Sequence, residues 1–474
     1  MQGARNTPLS RKHSVAGLLV ITGIWYFLYI YSLSAPIIQQ WDEARNAVNT
    51  QEMLQNGKWL VRYFQGNPET WELKPPLLIW AQCLSTKILG VTEMGIRFPS
   101  ALAALGIAFV AFWFLCREGV SVAVALFCAV TSITIPATLH PHGFLFGDHD
   151  AMLCFFQTVI LVAGYLFLTS GKVHWAWISA MGLLLGWLTK SIAVGFILPG
   201  IMTLGILDAE YRKNLFTFKM LIPFALSGLC IVSYYAVREQ LQPGYIQLVN
   251  MEEWMGRFTS ANNANTDILY YIKGFKGRLQ VYGYLGLLSL IWAGYQWRHK
   301  SFSRLGLATI CFTLPIISLS HSKNFWYDLP LIFPLVICMA HFLDNWFRRI
   351  RSGFPKLAFS IVIIGLVFHV KSAYSIVLSH NHQKNPNKKE ALVAYLKNNT
   401  FSNTKKYGVY CNAFNTDVSF YLNNLNRNGY SFRIIEPTDS PINVNQIYMA
   451  REDFPSWKAL RKAPVTAKIA IIGK

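Results

Sequence analysis

Long apolar segments alternate with short polar or basic connections along most of the chain. A helix that crosses a bilayer needs roughly 20 mostly apolar residues, and by that measure about eleven segments are candidate membrane spans. They centre near residues 25, 106, 130, 160, 182, 200, 228, 289, 312, 335 and 364. The pattern predicts an α-helical polytopic membrane protein.

The chain becomes much more polar from about residue 380 onward. Its apolar pattern there predicts helices and strands at 388–398, 416–424, 407–410 and 469–472. We therefore expect two domains, a transmembrane domain over 1–379 and a small soluble α/β domain over 380–474.

The segment 35–97, between the first two predicted spans, has structure of its own. Residues 46–54 have the amphipathic spacing of a helix. Residues 77–89 are apolar with polar interruptions, which predicts a helix lying in the membrane interface. Pro75 and Pro76 stiffen the approach to it.

Composition agrees with a membrane protein and argues against a nucleic-acid-binding one. Hydrophobic residues make up 53% of the chain and charged residues only 14%, against about one quarter charged in soluble proteins. The net charge is +20, but its cations cluster beside apolar spans, where orientation and anionic lipid explain them. The first span, around residues 16–34, lacks a signal-peptide cleavage site and is predicted to be retained.

The distribution of Lys and Arg predicts the orientation. Basic residues precede the first span and place the N-terminus in the cytoplasm. Each junction expected to return to the cytoplasm is basic as well, with Arg117, Lys172, Arg212, Arg298 and Arg348 as examples. The loops 35–97, 139–150 and 238–280 and the C-terminal domain are then extracytoplasmic, and the protein lies in the plasma (inner) membrane.

Eight cysteines are present, without a C-x-x-C pair. Most lie in or beside apolar stretches, where a thiol behaves as a small hydrophobic group. A disulfide framework or a zinc site is therefore not expected.

Ionisable residues are concentrated in the predicted outer loops. Asp42 and Glu43 directly follow the first span, where two adjacent carboxylates need water or a partner. A carboxylate can take the proton of an attacking hydroxyl, and nearby cations can stabilise a departing phosphate. In a membrane setting such a phosphate would be carried by a lipid.

Structural roles stay open for the same residues. The outer-loop acids also fit helix N-termini, and capping is the preferred interpretation for Asp148. The lysines also fit interface anchors. Arg257 has the helical spacing to pair with Glu253.

Several motifs in order resemble the GT-C membrane glycosyltransferases, in particular the aminoarabinose-transferase and protein O-mannosyltransferase branch. Residues 41–45 (WDEAR) and 52–59 (EMLQNGKW) resemble the first outer loop of that branch. Further motifs follow at 74–77 (KPPL), 95–100 (GIRFPS), 147–153 (GDHDAML), 188–190 (LTK) and 322–330 (SKNFWYDLP). The resemblance covers roughly residues 20–345.

The resemblance implies an enzyme that takes a sugar from a polyprenyl-phosphate carrier on the non-cytoplasmic side and inverts its anomeric centre. It implies that Asp42 is the general base, with Glu43 supporting it or positioning the acceptor and Asp150 supporting the site. The residues that would hold the donor phosphate are Lys74, Arg257, Lys190 and Lys323.

Two departures from the family pattern put a metal ion in doubt. Relatives often have Glu directly before the motif lysine, where this chain has Leu73, with Glu72 one residue earlier. Glu252 occupies a position where some relatives have His. No cofactor is required for certain, although Glu72 and Glu252 still offer oxygen ligands to a divalent metal.

We therefore predict a polyprenyl-phosphate-sugar-dependent glycosyltransferase acting on a glycan, lipid or protein hydroxyl. The alternatives are a transporter or flippase of lipid-linked sugars and an inactive scaffold whose soluble tail binds a partner. Inverted repeats and broken paired helices, which are typical of transporters, are not evident. The sequence leaves the sugar and the acceptor open.

Overall fold

The structure is a computed structural model of the chain. It describes residues 11–256, 267–299, 301–381, 388–411, 415–435, 444–450, 453, 455–457 and 468–472. The chain divides into two compact units. The first is Met1–Ser32, Pro68–Leu78 and Arg97–Val377, and the second is Leu33–Asn67, Ile79–Ile96 and Leu378–Lys474.

Helices dominate the chain up to residue 381. The described α-helices there are Arg11–Leu28, Asp42–Asn56, Leu77–Leu89, Glu93–Arg117, Val122–Thr134, Pro136–Leu139, His149–Ser170, Val173–Lys190, Leu198–Leu207, Ala209–Leu215, Phe218–Leu241, Tyr245–Val249, Tyr270–Leu279, Val281–Tyr295, Ser303–Leu319, Ile332–Gly353 and Pro355–Asn381. Shorter 3₁₀ segments are Ile30–Ser32, Ser191–Ile197, Trp297–His299 and Phe325–Leu331, and Asn250–Trp254 is a π-helix.

Each of the predicted span centres falls within one of these helices. Among the described residues, seven helical segments are long and apolar enough to cross a membrane. The segment Val173–Leu207 contains two predicted spans, and three further predicted spans correspond to shorter apolar helices. The chain is a multi-pass membrane protein of predominantly helical fold, while the number of spans stays a prediction.

Close packing and a sharp bend position the helices that carry the candidate site. Helix Val173–Lys190 lies so near helix His149–Ser170 that a Cβ added at Gly182 would be 3.0 Å from the Ile160 side chain. Small residues allow this approach between apolar helices. After Lys190 the chain turns at Ser191, whose φ of 48° is uncommon for a residue other than glycine. The last turn of helix Val173–Lys190 is thereby held beside the first turn of helix His149–Ser170.

The second unit contains the predicted C-terminal α/β fold. Its parallel sheet has the strand order Ser431–Ile435, Lys406–Tyr410, Gln446–Ala450, Lys468–Ile472. Helices Lys388–Asn398 and Thr416–Arg427 accompany it. The predicted helices and strands of the tail are therefore confirmed, and two strands were not predicted.

Part of the first predicted loop shares its core with this C-terminal segment. Ala44 and Val48 of helix Asp42–Asn56 belong to the same buried cluster as Val409 and Phe420. The short strands Tyr63–Phe64 and Asn67–Pro68 follow that helix. The second unit is thus larger than the predicted segment 380–474, and the functional division at residue 380 stays a prediction.

Candidate active site

A cavity in the first unit brings several of the predicted site residues together. It contains about 720 Å³ of empty space, counting its open mouth. Its polar lining includes Asp150, Lys190, Ser191, Glu253, Ser320 and Tyr327, and its apolar lining includes Leu153, Ile192, Phe196, Ile316 and Ile317. Such a wall suits a ligand that combines an apolar body with a charged group.

Asp150 and Lys190 form an ion pair on the cavity wall. The Lys190 ammonium donates to both carboxylate oxygens of Asp150, at 2.7 and 2.8 Å. The ammonium also lies 5.4 Å from the centre of the Tyr327 ring, within range of a cation–π interaction. Only 12% of the Lys190 side chain and 5% of the Asp150 side chain are exposed. Asp150 therefore holds a largely desolvated cation in place beside the cavity.

Lys74 lies between two carboxylates. Its ammonium donates to Glu72 Oε1 at 2.6 Å and lies 3.7 Å from Glu253 Oε1. All three side chains are at least nine-tenths buried. Because Glu253 also lines the cavity, this cluster links Lys74 to the same site as Lys190.

Side-chain hydrogen bonds connect the bend at Ser191 to the neighbouring helices. Trp254 Nε1 donates to Ser191 Oγ at 2.8 Å, and the Tyr235 hydroxyl lies 3.0 Å from the same atom. Trp187 Nε1 in turn donates to the Tyr235 hydroxyl at 3.2 Å. These bonds place the π-helix carrying Glu253 next to the bend carrying Lys190.

The loop before Lys74 is held by a tyrosine. Tyr245 is buried, and its hydroxyl donates to the carbonyl oxygen of Leu73 at 2.8 Å. The Arg238 guanidinium lies 3.9 Å from the centre of the Tyr245 ring. Together with the rigid Pro75 and Pro76, this contact limits the positions that Lys74 can adopt.

A buried ion pair secures the segment that carries Lys323 and Tyr327. Lys323 Nζ donates to the backbone carbonyl of Ser320, a cavity residue, at 2.6 Å. One residue after Tyr327, Asp328 lies 2.7 Å from Arg278 NH1. That pair connects the 3₁₀ segment Phe325–Leu331 to helix Tyr270–Leu279.

The predicted outer loop 139–150 contains a second cluster. His142 Nδ1 lies 2.9 Å from Asp148 Oδ2, and its ring stacks on Trp326 at a centroid distance of 3.7 Å. Asp148 is the N-cap residue of helix His149–Ser170. Burial, reinforced by the Arg278 charge, lowers the pKa of the neighbouring His140, so that imidazole is mostly neutral near pH 7.

Asp42 and Glu43 lie in the second unit, in the first turn of helix Asp42–Asn56. Glu43 is buried, and its Oε2 accepts a hydrogen bond from the backbone N–H of Gln39 at 2.7 Å. Asp42 is partly exposed. Glu43 therefore stabilises the backbone just before the helix. Carboxylates in this first turn also interact favourably with the helix dipole.

The predicted metal ligands occupy different environments. The Glu72 carboxylate is engaged by the Lys74 ammonium, so a cation already neutralises it. Glu252 is exposed, and its neighbour Glu253 is the residue that faces Lys74. The metal role of Glu72 and Glu252 stays a prediction.

Arg257 lies outside the described residues. The convergence of Asp42 with Lys74 would join residues of the two units and stays a prediction. Sequence reasoning gave no site role to Glu253 or Tyr327. Their signals were an acid directly after Glu252 and an aromatic run close to Lys323.

The comparisons with known proteins agree with this architecture. The family model for dolichyl-phosphate-mannose-protein mannosyltransferase matches residues 73–236. ArnT from Cupriavidus metallidurans, solved with bound undecaprenyl phosphate, superposes with a TM-score of 0.67 and 16% identity, covering 91% of this chain and 87% of that one. The chain has the GT-C membrane fold. The apo oligosaccharyltransferase of Archaeoglobus fulgidus matches this GT-C fold more distantly, with a TM-score of 0.55 and 12% identity, covering 93% of this chain and 66% of that one.

Several curated relatives carry the name undecaprenyl phosphate-alpha-4-amino-4-deoxy-L-arabinose arabinosyl transferase. That of Aeromonas hydrophila is 27% identical over 66% of this chain and 58% of its own length. That of Yersinia pestis is 26% identical over 77% of this chain and 65% of its own length. The chain thus spans less than two thirds of these relatives. The predicted resemblance to the aminoarabinose-transferase and mannosyltransferase branch of the GT-C fold is confirmed.

Proposed function

We propose that this chain is an inverting glycosyltransferase that moves a sugar from a polyprenyl-phosphate donor to an acceptor hydroxyl. The observation that carries the proposal is the cavity of the first unit, where apolar walls meet the Lys190–Asp150 pair and the Glu253 carboxylate. The names of the curated relatives and the undecaprenyl phosphate bound to the Cupriavidus structure support this donor class.

The donor would bind through both of its parts. Its hydrocarbon tail would lie along apolar residues such as Phe196 and Ile316, where each buried CH₂ group contributes about 0.8 kcal/mol. Its phosphate would be held by Lys74, with Lys190, Lys323 and Arg257 contributing further positive charge. Low exposure strengthens these interactions because little water screens them.

The transfer would proceed as a single displacement. The acceptor oxygen forms a bond to the anomeric carbon on the face opposite the phosphate, while the bond from that carbon to the phosphate oxygen breaks. The leaving phosphate keeps the electron pair, and Lys74 stabilises its added charge. Asp42 takes the acceptor proton as general base, with Glu43 positioning the helix turn that carries it. This requires Asp42 and Lys74 to meet at one headgroup, which is part of the proposal.

Asp150 would act as a positioning residue. Both oxygens of its carboxylate accept from the Lys190 ammonium, so the cation is oriented before the donor arrives. A preoriented charge stabilises a transition state better than one that must reorganise.

The site would face the non-cytoplasmic side of the inner membrane, with the N-terminus in the cytoplasm. The basic inner junctions support this orientation. Partners would be the polyprenyl-phosphate sugar, a glycan, lipid or protein acceptor, and membrane lipids.

The proposal is tested with purified protein in vesicles that contain radiolabelled undecaprenyl-phosphate sugars, including 4-amino-4-deoxy-L-arabinose. Candidate acceptors are lipid A, a lipid-linked glycan and a hydroxyl-bearing peptide. We expect label to move to one acceptor through a new glycosidic bond of inverted configuration. Movement of intact donor across the bilayer without any glycosidic product would favour the transporter alternative instead.

A further inference from the structure

A buried glutamine joins helix Asp42–Asn56 to helix Thr416–Arg427 within the second unit. Gln51 Nε2 donates to the Phe420 carbonyl oxygen at 3.0 Å, and Gln51 Oε1 accepts from Asn423 Nδ2 at 3.0 Å. Both ends of this buried amide are therefore hydrogen-bonded. Moving one helix along the other would break these bonds and leave buried polar groups unsatisfied, which is costly. The glutamine thus fixes the register between the two helices.

A buried tyrosine of the same C-terminal helix holds the backbone just before helix Asp42–Asn56. The Ile38 N–H donates to the Tyr421 hydroxyl at 3.0 Å, and that hydroxyl donates to Glu93 Oε1 at 2.7 Å. Tyr421, Ile38 and Glu93 are all buried. Because the hydroxyl both accepts and donates, its orientation is defined. Bonds to a charged group are also stronger than neutral ones.

A lysine from the C-terminal segment extends this network to the start of the same connection. Lys397 Nζ lies 2.7 Å from Glu93 Oε1 and donates to the Ser34 carbonyl oxygen at 3.2 Å. Lys397 and Tyr421 therefore meet at one carboxylate oxygen. The backbone from Ser34 to Ile38 is held at both of its ends by residues from the other end of the chain.

We propose that the C-terminal segment is a positioning part of the catalytic apparatus. Tyr421 and Gln51 hold helix Asp42–Asn56, and with it the Asp42 carboxylate, where general-base catalysis requires it. This inference rests on the proposed function. Asp42 lies in the first turn of that helix, shortly after Ile38, so a shift of the Ile38 backbone is carried to the carboxylate. A misplacement of about 1 Å can cost up to about 10²-fold in rate.

The test measures sugar transfer and donor binding by the full chain in vesicles, using Tyr421→Phe. This variant removes only the hydroxyl that Ile38 and Glu93 share. The maximal rate should fall about tenfold, because misplacing a catalytic group costs rate, while KM for the donor and Kd for undecaprenyl phosphate should stay within about twofold of wild type. A variant that was merely less stable would lower the amount of folded protein, which thermal unfolding and active-site titration with the lipid detect.

Tyr407→Phe is the matched control. Tyr407 is also buried in the second unit, and its hydroxyl accepts from the Ser402 N–H at 2.9 Å, so the same kind of bond to the backbone is lost. This bond lies within the C-terminal segment, and the variant should transfer sugar like wild type. A tenfold loss in both variants would overturn the positioning role, since it would show that transfer responds to any weakening of this segment.

A double variant locates the effect. In an Asp42→Asn background, Tyr421→Phe should give no further loss of the residual transfer, because the group that it positions is gone. A further tenfold loss in that background would overturn the inference. If Tyr421→Phe does not fold, Gln51→Asn draws the amide back by one methylene and should lower the maximal rate with the same dependence on Asp42.

The outcomes separate this inference from the proposed function. A wild type that transfers sugar, together with a Tyr421→Phe variant of equal maximal rate, overturns the positioning role alone. A wild type that forms no glycosidic bond with any of the donors overturns the proposed function, and the inference with it.

Discussion

Two groups of buried ion pairs in the first unit differ in what surrounds them. Arg304 NH2 lies 3.2 Å from Asp208 Oδ2 and 3.3 Å from the Tyr211 hydroxyl, and Asp208 also accepts from the Glu210 N–H at the start of a helix. Neither partner lines the cavity that contains Lys190. The contacts of this ion pair indicate a structural role.

The lysine cluster has a different arrangement. Lys190 and its partner Asp150 border open space, and Lys74 has one close and one distant carboxylate. Burial and pairing alone therefore do not identify a binding site. A cavity beside the pair is the feature that leaves a cation accessible to a ligand.

The largest effect should come from removing the cation of this cluster. Lys74→Met should lower sugar transfer about 10²–10³-fold, as expected for the loss of one group that stabilises the leaving charge. Lys74→Arg should restore part of the activity. The exposed Lys273→Met serves as control and should change transfer less than twofold in the same vesicle assay. Equal activity of Lys74→Met and the control would remove Lys74 from the site.

Breaking the structural pair should affect stability instead. Asp208→Asn leaves the Arg304 charge without its partner and should cost about 3–5 kcal/mol of folding stability. Thermal unfolding in detergent measures this loss, while Kd for undecaprenyl phosphate should stay within twofold of wild type. Asp150→Asn should instead have its larger effect on the rate of sugar transfer and its smaller effect on folding stability. If the two variants behave alike, the distinction between the two groups fails.

A smaller effect should come from the ring beside Lys190. Tyr327→Leu removes a cation–π contact and should raise Kd for undecaprenyl phosphate about two- to fivefold. Tyr327→Phe keeps the ring and should bind like wild type. A similar loss in both variants would indicate that the hydroxyl, which accepts from Asn324 at 3.0 Å, is the important group.

Sequence reasoning located the helices well because lipid imposes a length and a composition on each span. It also found the helix Asp42–Asn56 and the tail elements with clear apolar periodicity. It missed the strands Ser431–Ile435 and Gln446–Ala450, which pair in parallel with the predicted strand Lys406–Tyr410 on its two sides. This shared sheet is a long-range arrangement that the local sequence of either strand does not show.

The sequence allowed the residue types of the site to be predicted, but it did not allow the contacts between these residues to be predicted. Asp150 and Lys190 lie 40 residues apart, and their meeting depends on the packing of two helices and the bend at Ser191. The choice between Glu252 and Glu253 depends on the π-helical register, which no simple periodicity encodes. The sharing of one core by Ala44 and Phe420 is likewise a tertiary property.

The most direct test of the central claim compares sugar transfer with donor binding in Asp42→Asn. Asn keeps the side-chain size and is well tolerated near a helix N-terminus, so folding should be retained. Transfer should fall at least about 10²-fold because the general base is lost, while Kd for undecaprenyl phosphate should stay within twofold of wild type. Full transfer activity in this variant would show that Asp42 is not the general base.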